Sequence, residues 1–279
     1  MRVLLAGIAL MLSVALSAQG FSGKAIYKTY RKSNVKIGGQ GQNGVTPEME
    51  KQLQERMKKM FQKTFVLNFN KTESTYKEDV KLSSPAPQPG GGGMMVMSFG
   101  GGGGNDLLYK NIKENRFANK TDLMGKLFLV KDSLIQYDWK MTGETKNIGN
   151  YTCYKAIYER EQENISMSMI DGEMKESKKM ETITTTAWYT PDVPINNGPG
   201  NYWGLPGLIL EINDGRLTIA CTEIVLNPAE KIEIIEPTKG KKVNSEKFEE
   251  ISRKKSKEMM ERFRSKRGDG NGIEIRIGG

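Results

Sequence analysis

Apolar and polar residues alternate with a period of two along much of this chain. Between positions 21 and 30, Ala25, Tyr27 and Thr29 fall on one face and Lys24, Ile26 and Lys28 on the other, the pattern of a half-buried strand. Phe65, Leu67 and Phe69 repeat it, and 64–70 with 74–79 reads as a hairpin turning at Asn70-Lys71. From position 107 the signal returns at steady intervals. It predicts strands over 107–111, 126–131, 135–141, 146–148, 151–160, 164–170, 180–189, 207–212, 216–226 and 231–235. Asn213-Asp214-Gly215 and Asp171-Gly172 mark tight reversals, because Asp-Gly supplies the positive φ angles such turns need. Strands so closely spaced leave little room for crossover helices, so the expected pairing is antiparallel.

Two segments switch to a helical period. Thr46-Pro47-Glu48 is a helix start, and Met49, Leu53, Met57, Met60 and Phe61 form one apolar stripe over 47–63. Asn244 or Ser245 caps a second helix, with Phe248, Ile251, Met259 and Phe263 on one stripe and Lys255 interrupting it. A sheet of about ten strands curls rather than staying flat. The expected fold is therefore α+β: a large curved antiparallel sheet, an open half-barrel, with both amphipathic helices packed on it. In this reading a β domain spans 19–237, a basic helix 238–267 and a flexible tail 268–279. Residues 83–105, rich in Gly and Met, form a mobile insertion whose burial could not offset its ordering entropy.

The N-terminus changes the setting. Met1-Arg2, an apolar run over 3–16 and Ser17-Ala18 match a secretory leader spanning 1–18. The run is shorter than the ~20 residues that cross a bilayer, and no Cys lies near the cut, so the expectation is a periplasmic or secreted protein without a lipid anchor. The chain has 42 Lys plus Arg against 33 Asp plus Glu, a net +9. Loss of Arg2 leaves 9 − 1 = +8, and 239–267 holds 12 basic and 5 acidic residues, so nearly all the excess is local.

Among 279 residues there is no His. That removes His-dependent triads, HExxH zinc sites and imidazole proton shuttles. Cys153 and Cys221 lack CxxC or His partners, and in an exported chain they read either as one disulfide or as two free thiols. The GxGxxG match at 39–44 follows an amphipathic strand in an antiparallel context, which reads as a loop, with no nicotinamide or other cofactor implied. Met94, Met95, Met97, Met167 and Met169 raise Cu(I) binding as a minor alternative, against the ordinary use of Met as core filler. Arg267-Gly268-Asp269 reads as chance within a basic tail. No carboxylate pair stands out; Asp138, Asp192 and Asp214 are each explained by a strand edge or a turn.

The most informative stretch runs from 187 to 212. Trp188, Tyr202 and Trp203 surround a loop rich in Gly and Pro, and Leu205-Pro206-Gly207-Leu208 reads as a type II turn entering a buried strand. Aromatics in rigid loops serve either as core cover or as ligand anchors. That makes Trp188, Tyr202, Trp203, Leu205 and Pro206 the candidate binding residues. Gly204, Leu205, Pro206, Gly207, Leu208 and Ile209 spell a motif that, with 139–156 (Trp-Lys-Met-Thr-Gly-Glu onward to Tyr-Lys-Ala), Ala187-Trp188-Tyr189 and Gly198-Pro199, resembles the GLPGLI family of exported bacterial proteins. The resemblance extends over about 107–212. It implies export; the family has no established activity, so no catalytic residue is carried over.

The resulting expectation is a non-enzymatic exported protein of the cell envelope, holding a hydrophobic ligand or partner segment against the curved sheet. The alternatives are docking to outer-membrane or envelope proteins through the basic helix, and carboxylate-based catalysis. Nucleic acid is not expected, since the basic face carries no interleaved aromatics.

Overall fold

The computed structural model describes residues 21–31, 62–81, 106–170 and 173–266, together with Glu48, Gln52 and Glu55. The leader, the 39–44 run, the 83–105 insertion, the Asp171-Gly172 turn, the 268–279 tail and most of the expected 47–63 helix lie outside the described residues. Glu48, Gln52 and Glu55 themselves are helical and exposed.

Among the described residues twelve strands follow one another: β1 (Ser22–Arg31), β2 (Thr64–Asn70), β3 (Glu73–Glu78), β4 (Leu107–Asn111), β5 (Arg116–Leu123), β6 (Lys126–Ser133), β7 (Lys140–Ile148), β8 (Tyr151–Ile170), β9 (Glu173–Thr190), β10 (Leu208–Asn213), β11 (Leu217–Leu226) and β12 (Lys241–Val243). One helix, α1 (Ser245–Lys266), ends the described chain. The strands form a single open sheet in the order β12-β6-β5-β4-β3-β2-β1-β11-β10-β9-β8-β7.

The expected architecture is corrected in two respects. The sheet is mixed, because β12 pairs parallel to β6, Lys241 with Phe128 through Val243 with Val130. The predicted strand at 231–235 is instead irregular; this stretch lies over the far side of β4–β6, where Ile234 packs on Tyr109, Ala118 and Leu129. Glu236 pairs there with Arg116 and Lys131. The chain thus reaches the β6 edge by a long crossing rather than a hairpin, and a crossing permits parallel entry. Second, two helices do not pack on the sheet: α1 is the one helix whose full range is described, and it meets the sheet at the β6 rim, where Phe248 lies edge-on to Phe128 at 5.4 Å. Its stripe is too narrow and too broken by Lys255 to cover a sheet face, and its charged faces stay hydrated.

Gly240 permits the parallel entry. Its φ is +125°, and a Cβ there would lie 2.6 Å from the backbone carbon of Phe128. Asn244 then caps α1, its Oδ1 accepting from Lys247 N at 3.0 Å, while Ser245 N donates to Asp132 at the end of β6.

β6 and β7 are consecutive in sequence yet stand ten strand spacings apart in the sheet. Flat, that separation is about 48 Å at ~4.8 Å per strand. The connecting residues 134–139 span at most about 25 Å when fully extended. The sheet is therefore curled so that its two ends face each other. Its inner side is filled by Ala25, Tyr27, Leu67, Phe69, Leu108, Ala156, Ala187, Ile212 and Ile219, and by Val193, Ile195 and Leu205 from the loop between β9 and β10.

Candidate functional site

That loop, 191–207, is a structural plug. Val193, Ile195, Asn197, Trp203 and Leu205 are all at most 9% exposed, so it folds inward against the curled sheet. Its exit departs from the expected type II turn. Gly207 N donates to Leu205 O at 2.8 Å, closing the turn one residue early, and Leu208 N is taken by Val193 O at 3.0 Å. Gly207 is required by space: a Cβ would sit 2.1 Å from Thr190 O. Tyr27, in the middle of the sheet, donates its hydroxyl to Ile209 O at 2.7 Å and anchors the strand that follows.

The plug is bound to the 134–139 crossing by two reciprocal indole bonds. Trp203 Nε1 donates to Ile135 O at 2.7 Å, and Trp139 Nε1 donates to Trp203 O at 2.8 Å. Around them Tyr137 lies 5.4 Å from Trp139, 5.2 Å from Tyr158 and 5.5 Å from Tyr202 in mixed stacked and edge geometries. Such rings add roughly 1 kcal/mol per pair beyond burial. Burial raises the Tyr137 and Tyr202 hydroxyls above their ordinary range, so both remain neutral donors.

The structure distributes the predicted binding residues unevenly. Tyr202, Trp203 and Leu205 come together, but inside the plug and its aromatic cluster rather than around an opening. Trp188 lies on β9 beneath Lys146, whose Nζ stands 4.4 Å from the ring centroid while also pairing with Glu211 at 2.8 Å. Pro206 is exposed. Cys153 and Cys221 are free thiols in this structure. Burial pushes them up to about 11 and about 12 respectively, so neither is a ready thiolate nucleophile.

Lys110 carried no mark in the sequence reading. It is fully buried on β4, and its Nζ crosses to the plug, donating to Gly198 O at 2.9 Å and Tyr202 O at 3.1 Å. Desolvation brings it down to about 7. One signal could have found it: Lys110 lies two residues from Leu108, so a strand that buries one on the inner face buries the other.

A separate groove opens at the β6 rim. It measures about 550 Å³ and lies between α1 and the β5–β6 turn, its floor made by Leu123, Met124, Phe128, Ile251 and Met259. Lys126, Lys241, Lys255 and Glu258 stand around it. Lys255 is held by Glu258 at 2.8 Å, and Lys126 lies 5.8 Å from the Phe128 ring centroid. No carboxylate among the described residues forms an ion pair with Lys126 or Lys241. Among the described residues, no three His, Cys, Asp or Glu side chains gather as a metal site. No described helix is long and apolar enough to cross a membrane.

A family model described as a protein of unknown function (Porph_ging) matches residues 139–211, from Trp139 through the plug into β10. No curated protein matches the chain. Two solved structures of PNGF-II, in C2 and P21 space groups, are similar over 83% and 82% of this chain, with 13% and 12% identity and TM-scores of 0.48 and 0.47. The similar part is 32% and 33% of those chains, so this chain corresponds to about a third of their length. The matched stretch takes in Trp139, Trp188 and the whole of the 191–207 loop, and the family it resembles there is uncharacterised.

Proposed function

We propose that the protein is a non-enzymatic binding protein of the cell envelope that holds an anionic amphiphile in the groove between α1 and the β5–β6 rim. The observation that carries this reading is the groove itself. Its volume, about 550 Å³, falls within the range of small-molecule sites. Five apolar side chains form its floor and three lysines against one glutamate its border, 3 − 1 = +2. An acyl chain would lie against Phe128, Ile251 and Met259, and its carboxylate would meet Lys126 and Lys241. The lysine stems cover apolar surface while their charged ends remain in water.

The location differs from the corner expected at Tyr202 to Leu208, whose aromatics are engaged within the molecule. The GLPGLI resemblance and the secretory leader support an exported role in the periplasm or beyond. The basic helix serves this reading as one wall of the site.

The test is calorimetry with decanoate and 1-decanol below their aggregation limits. Decanoate is expected to bind saturably and decanol at least threefold more weakly. Lys241→Glu should reduce that preference, and Ile251→Glu should abolish both. Equal binding of both ligands to the wild type and to Ile251→Glu would overturn the proposal.

A further inference from the structure

Lys110 lies inside the molecule with no negative charge set against it. Its displaced titration has desolvation as its one cause, with no carboxylate contributing. Two of its three N–H groups reach carbonyl oxygens of the plug. Two further polar groups nearby are unmet: Ser74 Oγ and Asn197 Nδ2 are buried without a hydrogen-bond partner, and both residues are 0% exposed.

Strand pairing and one hydrogen bond link the three residues. Ser74 on β3 is the direct cross-strand partner of Lys110 on β4, so their side chains leave the same face about 5 Å apart. The tip of Lys110 ends on the carbonyl of Gly198, the residue after Asn197. Gly198 N donates to Asn197 Oδ1 at 2.9 Å, which fixes the orientation of the amide and leaves its NH₂ as the unmet end. An ammonium, a hydroxyl and an amide NH₂ are all donors. Buried charges are normally paired, and buried donors without partners call for an ion or a water.

We propose that Lys110, Ser74 and Asn197 form an internal binding site for one halide ion, sealed by the 191–207 plug. A halide supplies the missing counter-charge and accepts from several donors at once. The ammonium of Lys110 repels a metal cation. The site is independent of the rim groove.

The experiment compares thermal unfolding in chloride, bromide and gluconate at one ionic strength, followed by bromide soaking of crystals. Chloride and bromide should raise the midpoint saturably by roughly 3 °C over gluconate, a shift of the size expected for a ligand in modest excess over its dissociation constant. Bromide should give an anomalous peak beside Lys110 Nζ. Ser74→Ala should weaken the halide response, and Asn197→Asp, which supplies a covalent negative charge, should abolish it in a folded protein. Identical midpoints in all three salts, or a water without anomalous signal at that position, would overturn the proposal.

Discussion

Trp139 donates its indole N–H to the backbone carbonyl of Trp203 at 2.8 Å, and Trp203 returns a bond of 2.7 Å to Ile135 in the same crossing segment. Both members of this exchange use a side-chain donor on a main-chain acceptor. The plug and the crossing are therefore locked in register with each other without forming a ladder. Each irregular segment supplies partners that a strand would have given the other.

Trp139→Phe keeps the ring near Tyr137 and removes one donor. Trp203 O then loses its indole partner, and a loss of about 1 kcal/mol is expected, the usual net value of such a bond. Trp203→Phe also empties part of a 9% exposed site and should cost about 2–3 kcal/mol. The double variant should fall short of the sum, because both changes loosen one contact. Urea unfolding of the four proteins measures this; strict additivity would show that the two bonds act separately.

Lys110 gives stability a pH dependence of defined sign. Burial holds its ammonium at about 7 in the folded chain, against 10.5 ordinarily. Above 7 the unfolded chain retains a proton that the folded chain has released, so stability rises with pH, by up to roughly 1.4 kcal/mol per unit for this group. The clean window is from 7 to about 8.5. Beyond it the two thiols, raised by burial from 9.0, are held protonated by the fold and turn the slope the other way. In halide-free buffer, Lys110→Met should be flat across this window where the wild type climbs. Parallel curves would show that the lysine is not desolvated.

Cys153 and Cys221 should both react with a thiol reagent after unfolding in denaturant without reductant. In the native protein neither should react at pH 7, given their burial and raised pKa values. Mass measurement after alkylation of the unfolded chain reads the number directly. Absence of labelling before reduction would show that the pair is oxidised in solution.

Much of the sheet was legible from alternation, but the exceptions are instructive. β5, Arg116–Leu123, went unread because only Ala118 and Thr121 are buried along it; neighbours on both sides hold it, not its own apolar content. The segments 151–160 and 164–170 are one strand, β8, since the polar residues between them pair across to Glu181 and Thr182 of β9. Alternation at 135–141 reflects Tyr137 and Trp139 entering the aromatic cluster, so the crossing resembled a strand. The Asn244 cap was legible because capping is local. Lys110 was hidden because β4 is covered on both faces, with Leu108 on one and Tyr109 on the other, which removes the contrast that would single out a buried charge.

The position of β1 has a consequence for how the chain matures. Ser22–Arg31 is flanked by β2 on one side and by β11, Leu217–Leu226, on the other. As the polypeptide emerges from its N-terminal end, one flank of its first strand stays vacant until residue 226 is available. The two halves of the sheet can accumulate as separate ribbons in the meantime, and joining them requires closing a loop of nearly two hundred residues. Such long-range pairing makes for slow assembly. The exposed seam along β1 is then the place where an incomplete molecule is most vulnerable to pairing with a neighbour.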